Sequence, residues 1–425
     1  MTADLWSIAV SDAHDAYDLR GIGGWSDAAL GEAVGSVLAI PKVAPADSFV
    51  LHSPLELLAR LCLLARIEPS ARQGARRRLL WLAASYEAAG PGLPRPRLVE
   101  PAQPIDDVAR RLVASLEAGD LDDIDRYAAA LGAQATPSEL RQLLGRPVAA
   151  SLAAAAHGSI YLSLLPRAAT AGGPLGSMLR GLARDLGRHP DWRLRWFEDP
   201  DEPSVTESLA DALLAVPMLG SPGSNTIHPL MCQAEESGLA SKLASGILRD
   251  GPVDVGLARA QLSRIAAWSM LEEPNHHAYG WSHCMTMPQA VLALAADTAD
   301  PGVAVAVAAT HVIGFRAALG ERSLEPLYEP EPVAASDLGE AMSEGPATAA
   351  AYAWHASTDP KAIRLLEASL ASRAAPHHDA HYAKYTLACF DAADADPSHE
   401  RLYLAAAAFL GGYWALEGDD AFFAT

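Results

Sequence analysis

The chain has 425 residues, half of them hydrophobic, and a formal net charge of −20. This length allows one large domain or two ordinary ones, with enough apolar residues for a sizeable core. The charge would repel a nucleic-acid backbone and no basic stripe is present, so the composition excludes nucleic acid as a partner.

The sequence contains no targeting or membrane-spanning segment of the usual kind. Its N-terminus lacks a basic segment followed by an apolar run, so we expect no signal peptide. The alanine-rich runs at 302–315 and 402–416 are too short or too interrupted to cross a bilayer. The four cysteines are widely spaced without a Cys-x-x-Cys pattern, which predicts reduced thiols. Together these features predict a cytoplasmic protein with no membrane partner.

The first clear helix follows an irregular N-terminal segment over residues 1–50. Apolar periodicity predicts this helix at 52–66, with Ser53 and Glu56 as a capping box and Pro54 as its first residue. His52 would then lie just before a helix start. A second helix is predicted at 70–88, and a Pro-rich connector over 90–96 ends the pair.

Apolar periodicity in the middle of the chain predicts a series of amphipathic helices. They are expected at about 105–117, 121–132, 137–157, 174–188, 254–271, 287–298 and 302–319. His157 falls at the end of one of them. An acidic surface loop is predicted at 198–203, and the loop from Ser221 leads to a helix whose first residue is Pro229, just after His228.

The C-terminal part begins with an acidic, Pro-containing segment at 322–346, predicted to be a long loop that serves as a lid or a linker. The final helices are expected at 346–355, 360–372, 376–392 and 398–416. No alternating strand pattern is present. The fold class predicted is therefore all-α, a multi-helix bundle forming one domain over 1–425, with a metal site in its helical core.

Lys384 stands out in the last part of the chain, because only four of the 32 basic residues are lysines. Pro376 suits the first turn of a helix and Asp379 adds a favourable acid to that turn. His381 and Lys384 are three residues apart and share one helix face. A lysine with such apolar neighbours must be paired, neutral or chemically changed if it is buried. The alternative is a lysine whose ammonium snorkels to the surface.

Histidines recur near helix ends, and this recurrence suggests a metal site. His52, His228, His283 and His381 lie near predicted helix starts, and His157 near a helix end. Imidazoles that converge from several helices suit a divalent transition metal. A single histidine more often caps or packs, so the set carries the argument.

The remaining histidines and the common catalytic motifs give weaker signals. The pairs at 276–277 and 377–378 suit surface or structural roles, and His311 suits a hydrogen-bonded core position or a partner of a metal ligand. The sequence has no His-Glu-x-x-His motif, no Gly-x-Ser-x-Gly elbow and no phosphate loop. Cys232 and Cys284 lie near histidines, but a Cys–His nucleophile needs spatial proximity that sequence does not give.

Several short motifs together resemble the questin oxidase-like family, mostly helical oxygenases of aromatic polyketide pathways. The resemblance rests on the His52 helix start, Ala-Ala-His157-Gly-Ser-Ile, Ile227-His228-Pro-Leu, the 277–283 region, and His381-Tyr-Ala-Lys384-Tyr-Thr-Leu-Ala-Cys with the Asp396-Pro397 and Leu402-Tyr-Leu-Ala segments after it. It implies a mononuclear non-heme iron bound by several histidines and, in some relatives, by a lysine carboxylated with CO₂. Lys384 matches that lysine in context.

The resemblance implies a set of site residues. The implied metal ligands are His52, His157, His228, His283, His381 and Lys384, and the implied catalytic residues are His277 and His311. The chain departs from the family pattern at Tyr161 and Leu164, where arginine and a second histidine are frequent, and at Gly280, where a second lysine would stand.

The leading functional hypothesis is an Fe(II)-dependent oxygenase that uses O₂ on a small aromatic, polyketide-like molecule. Ring cleavage and Baeyer–Villiger-type oxygen insertion both stay open, as does a homodimer. One alternative is a zinc-dependent hydrolase on the same helical scaffold. The other is a non-catalytic helical binding protein.

Overall fold

The computed structural model describes residues 24–96, 103–172, 175–199, 209–223, 226–248, 253–273, 275–295 and 300–418. Within these ranges the regular structure is helical, and β-pairing is limited to the isolated bridges Lys42–Gly92 and Ser151–Arg193. The all-α prediction is confirmed.

Contacts divide the chain into two compact units. The N-terminal unit comprises residues 1–193, 375–380 and 421–425, and the C-terminal unit comprises 194–374 and 381–420. The prediction of one domain over the whole chain stays a prediction.

The N-terminal unit contains eight α-helices within its described residues. They are α1 Asp27–Leu38, α2 Ser48–Leu64, α3 Gln73–Ala88, α4 Ile105–Ala118, α5 Leu121–Gln134, α6 Pro137–Ala149, α7 His157–Gly172 and α8 Leu179–Gly187. Helix α2 packs against α7, α4 pairs with α5, and α6 packs against α7. Helix α2 therefore lies in the core, and eleven of its residues, among them Leu57, Leu58 and Leu61, are buried.

Helix α2 begins earlier than the sequence predicts. The Asp47 side chain accepts a hydrogen bond from the Val50 backbone N–H at 2.8 Å and caps the helix, which starts at Ser48. Pro54 therefore lies inside the helix, and the capping box predicted for Ser53 and Glu56 is wrong. His52 lies in the second turn of the helix, not before it.

Glu56 is instead the centre of a buried ion network. Its Oε1 accepts hydrogen bonds from Nε of Arg60 at 2.9 Å and from Nε of Arg78 at 2.7 Å. Burial alone would raise the pKa of Glu56, but the charges and hydrogen bonds of the two guanidinium groups outweigh it, so the pKa is lowered. The guanidinium groups also donate to backbone oxygens of residues 375, 377 and 378.

The same ion network explains why the helix predicted at 376–392 begins later than expected. The sequence predicts this helix from Pro376, but it runs over Ala380–Ala395. The carbonyls of His377 and His378 accept from Arg60 and Arg78, each at 2.6 Å. These carbonyls would bond N–H groups four residues later if the segment were helical. The arginine contacts therefore hold residues 375–379 outside the helix.

The C-terminal unit contains the remaining helices of the described chain. They are α9 Leu209–Leu214, α10 Ile227–Glu236, α11 Leu239–Ala244, α12 Val255–Glu272, α13 Ser282–Leu294, α14 Pro301–Leu319, α15 Leu338–Glu344, α16 Pro346–Ala356, α17 Pro360–Ala374, α18 Ala380–Ala395 and α19 Glu400–Gly418. Helix α19 packs on α15, α16 and α12, and α13 packs between α12 and α14. The loop predicted at 322–346 is shorter than expected, because α15 occupies its last third.

Helix α14 is the one helix in the described ranges that is long and apolar enough to be considered as a membrane span. It is mostly buried inside the protein, with 89% of its most apolar window inside. A core helix of this kind passes the same test of length and composition. The four cysteines, all within the described ranges, form no disulfide with one another, as the sequence predicts.

Candidate metal centre and adjoining cleft

His283 and His381 lie together in the C-terminal unit. Each is the second residue of its helix, α13 or α18. The centroids of the two imidazole rings are 4.8 Å apart, the ring planes meet at 82°, and each residue is 7% exposed. The structure thus brings together two of the histidines that the sequence assigns to a metal.

A backbone contact fixes the tautomer of His283. Its Nδ1 hydrogen-bonds the carbonyl oxygen of Tyr279, four residues earlier. A carbonyl only accepts, so Nδ1 carries the proton and Nε2 carries the lone pair. Histidines that bind metal are commonly held in this way, with the second ring nitrogen donating to a backbone carbonyl. The chemistry of this donor fits a metal ligand.

The separation of the two rings also fits metal binding. With metal–nitrogen bonds of about 2.1 Å, two imidazoles bound at a right angle have centroids roughly 4.6 Å apart. The observed separation between His283 and His381 is 4.8 Å. Edge-to-face ring packing gives similar distances, so the fixed tautomer is the stronger argument.

Lys384 follows His381 by three residues on α18 and is 3% exposed. Its Nζ is buried, so the alternative of a snorkelling lysine is wrong. Its neighbours in sequence, Ala383 and Tyr385, are fully buried. An ammonium has no lone pair, so Lys384 can bind a metal only as a neutral amine or as a carboxylated amine.

A second histidine pair lies in the N-terminal unit. The ring centroids of His52 and His157 are 4.6 Å apart, with the planes at 69°. Nδ1 of His52 lies 2.6 Å from the carbonyl oxygen of Ser48, which fixes the proton on Nδ1 as in His283. His157 is 1% exposed. The ring separation, and for His52 also the fixed tautomer, fit metal binding by the arguments given for His283 and His381.

An unusual turn places His157. The sequence predicts one helix over 137–157, but α6 ends at Ala149 and His157 is the first residue of α7. Between them Ala154, Ala155 and Ala156 adopt left-handed conformations, with φ of 50°, 52° and 56°. Such conformations are unfavourable for residues with a Cβ atom, and strain of this kind is often found at functional sites.

His157 also lines a small cavity within the N-terminal unit, together with Lys42, Tyr86, Tyr161 and Asp185. The cavity encloses about 30 Å³, room for about two water molecules. Burial raises the pKa of Asp185 to about 6, against the opposing effect of Arg188 and Arg184. Asp185 was not among the predicted site residues, because only its place in the wall of this cavity distinguishes it from the other acids.

His228 is the second residue of α10. Its Nε2 lies 3.4 Å from Sγ of Cys232, one turn along the same helix. The prediction that His228 binds metal with the other histidines stays a prediction.

A cleft of about 350 Å³ opens in the C-terminal unit beside a turn of π-helix over His277–Trp281. Its walls include His276, His277, Tyr279, Leu319 and Tyr413. Single turns of π-helix are rare and occur frequently at functional sites. Sequence reasoning missed this cleft, because nothing in residues 277–281 signals a π-turn.

Aromatic rings connect the cleft to the histidine pair. The Tyr279 ring packs edge-to-face on His381 at 5.0 Å and on Trp414 at 6.4 Å, and Trp414 packs on Tyr413 at 5.2 Å. Tyr279 is 57% exposed although it touches the buried His381. The cleft therefore reaches the candidate metal ligands through one aromatic side chain.

His277 is held in a defined protonation state. Its Nε2 lies 2.8 Å from the carbonyl oxygen of Glu273, so Nε2 carries the proton and Nδ1 is the acceptor. Burial lowers the pKa of His277, and His276 lowers it further. A neutral imidazole with a lone pair at Nδ1 can accept a proton.

His311, the other predicted catalytic residue, lies in the middle of α14 and is 1% exposed. Its Nδ1 has no hydrogen-bond partner within the described part of the chain. Burial lowers the pKa of His311 to about 4. It is therefore a neutral core histidine, and its catalytic role stays a prediction.

No protein-family model, no curated protein and no solved structure matches this chain.

Proposed function

We propose that the chain is a non-heme iron oxygenase that acts on a small aromatic molecule with O₂. The observation that carries the proposal is the buried His283–His381 pair with Lys384 one turn beyond it. These side chains lie beside an aromatic cleft in the same unit. Imidazole nitrogen with one anionic oxygen is a donor set that suits Fe(II).

In this proposal His283, His381 and Lys384 hold the iron. His283 binds through Nε2, because its Nδ1 is committed to Tyr279. Lys384 binds after its neutral amine attacks CO₂, forming the N–C bond of a carbamate and releasing one proton. Bound Fe(II) supplies the one-electron chemistry that O₂ activation requires. The metal-binding role of His52 and His157 stays a prediction.

The cleft beside the π-turn holds the substrate in this proposal. Tyr279 and Tyr413 offer ring faces and edges to a planar molecule, and Leu319 adds an apolar wall. A phenolic hydroxyl at this position can donate a hydrogen bond to Nδ1 of His277, which carries the lone pair. This hydrogen bond orients the phenol and raises the electron density on its oxygen atom.

Metal analysis of the purified chain tests the proposal. We expect stoichiometric iron, and consumption of O₂ when iron-loaded protein meets simple phenols and hydroquinones under an oxygen electrode. Labelled O₂ should deliver its isotope to the product. Stoichiometric zinc with ester or amide hydrolysis would favour the hydrolase instead.

A chain without any bound metal would favour the non-catalytic binding protein. The His355→Ala variant is a matched control for histidine replacements, because His355 lies exposed on α16 of the same unit. It should keep full iron content.

A further inference from the structure

The His228–Cys232 pair on α10 has the geometry of a metal chelate. Sγ of Cys232 and Nε2 of His228 are 3.4 Å apart, and both residues are half-buried. With metal–sulfur bonds of about 2.3 Å and metal–nitrogen bonds of about 2.05 Å, a tetrahedral ion holds the two donor atoms roughly 3.6 Å apart. The observed separation of the two donor atoms is therefore within about 0.2 Å of the spacing that a tetrahedral ion requires.

The rest of α10 adds negative charge beside this pair. Glu235 accepts hydrogen bonds from the backbone N–H groups of Arg195 and Trp196, at 2.5 and 2.6 Å. Glu236 is exposed and follows Cys232 by four residues, so it lies on the same helix face. The Glu235 carboxylate is thus occupied by backbone N–H groups, whereas Glu236 adds an exposed negative charge on the helix face of the pair.

We propose that His228 and Cys232 form a metal site of their own, for zinc or another thiophilic divalent cation, with Glu236 or water completing the coordination. On binding, the Cys232 thiol loses its proton to solvent and the thiolate forms the metal–sulfur bond. No oxidation occurs. The site is independent of the proposed iron centre and of the oxygenase function.

A metal ligand suits Cys232 better than a nucleophile does. Its Sγ lies 3.4 Å from Nε2 of His228, so a cation held at this pair would bond sulfur and nitrogen together. A divalent cation displaces the proton, so its affinity for the pair rises with pH.

Titration with Co²⁺ tests the site, because a cobalt–thiolate bond gives a charge-transfer band in the near ultraviolet. Metal-free protein should develop this band with one equivalent of Co²⁺, and added Zn²⁺ should abolish it. The Cys232→Ser variant should give no band, while Cys62→Ala, which replaces a buried cysteine of α2, should keep it. His228→Ala should weaken Co²⁺ binding by roughly tenfold or more.

Three results would overturn the proposal. They are the absence of a band in the wild-type protein, a band that persists in Cys232→Ser, and unchanged Co²⁺ affinity in His228→Ala. Cys232→Ser should also leave any iron content of the protein unchanged, and a loss of iron in that variant would contradict a separate site. These outcomes do not depend on whether the chain is an oxygenase.

Discussion

The His283 imidazole meets the His381 imidazole edge to face, with the ring centroids 4.8 Å apart. Both rings are further supported by aromatic neighbours. His283 stacks parallel to Phe315 at 6.3 Å, and His381 takes the edge-to-face contact of Tyr279 at 5.0 Å. Two imidazoles placed in this way are preorganised, so a metal that binds them need not reorder either side chain.

Replacing either histidine of this pair should remove the metal. We expect His283→Ala and His381→Ala each to lower iron content by at least about tenfold, since even partners of metal ligands contribute 10–100-fold to affinity. Inductively coupled plasma mass spectrometry of the purified variants measures this, with His355→Ala as the control. Wild-type iron content in both single variants would exclude the pair as ligands.

Gly280 makes the cleft sensitive to one methyl group. A Cβ atom at this position would lie 2.6 Å from Cδ1 of Leu319 and 2.8 Å from Cβ of His276, and both of those residues line the cleft. Gly280→Ala should therefore displace a wall of the cleft and raise KM for an aromatic substrate several-fold, while iron content stays unchanged. Steady-state kinetics measure the effect.

The matched control is Gly24→Ala, where a Cβ atom meets nothing within 4 Å. Unchanged KM in Gly280→Ala would place the substrate elsewhere.

The helices were predictable because alanine- and leucine-rich stretches carry clear periodicity, and most predicted centres match observed helices. The predicted helix boundaries were wrong where a local interaction that the pattern does not show sets the start or the end of the helix. Asp47 caps α2 earlier than the Ser53–Glu56 pattern predicts. The left-handed turn over Ala154–Ala156 was unpredictable, since alanine favours a continuous helix.

For the candidate metal site, the sequence indicated which kinds of residue would be present but not which of them come together. Histidines near helix starts are visible in the sequence, and His283 and His381 do lie at helix starts. Asp185 lines the cavity that His157 also lines, and this placement depends on long-range packing. The same holds for the backbone carbonyls that accept hydrogen bonds from Arg60, because a backbone carbonyl leaves no signal in the sequence.

His311 should make the protein less stable in acid. Burial lowers its pKa to about 4 in the folded state, against about 6.5 in an unfolded chain. Below about pH 6.5 the unfolded state binds a proton that the folded state does not, so stability falls by up to about 1.4 kcal/mol per pH unit until about pH 4. The stability that His311 contributes is therefore present above this window and lost within it.

Urea denaturation from pH 7.5 to 4.5 checks this dependence. The His311→Asn variant should lose part of the acid sensitivity, so its midpoint should fall less steeply with pH than that of the wild type. His355→Ala, at an exposed position, should keep the wild-type slope. Parallel curves for His311→Asn and the wild type would contradict a neutral buried His311.

The ion network around Glu56 should make Arg60 important for stability. Arg60 is fully buried, pairs with Glu56 and donates to the carbonyl of His377 at 2.6 Å. Arg60→Met should cost roughly 3–5 kcal/mol, because it leaves a buried carboxylate and buried carbonyls with fewer partners. Arg110→Ala is the control, since its ion pair with Asp107 is largely exposed and should contribute under about 1 kcal/mol. Equal unfolding midpoints for the two variants would refute the role of the network.

Lys384 gives the sharpest test of the proposed metal centre. If its carboxylated amine is a ligand, Lys384→Ala should lose both iron and activity, and so should Lys384→Met. Lys384→Glu, which offers a shorter carboxylate without needing CO₂, should partly restore iron binding. Metal-free wild-type protein should take up iron better with bicarbonate than in CO₂-depleted buffer, while uptake by Lys384→Glu should not depend on bicarbonate.

The exposed Lys361 on α17 supplies the control, and Lys361→Met should behave as the wild type. Full iron content and full turnover in Lys384→Met would refute the ligand role.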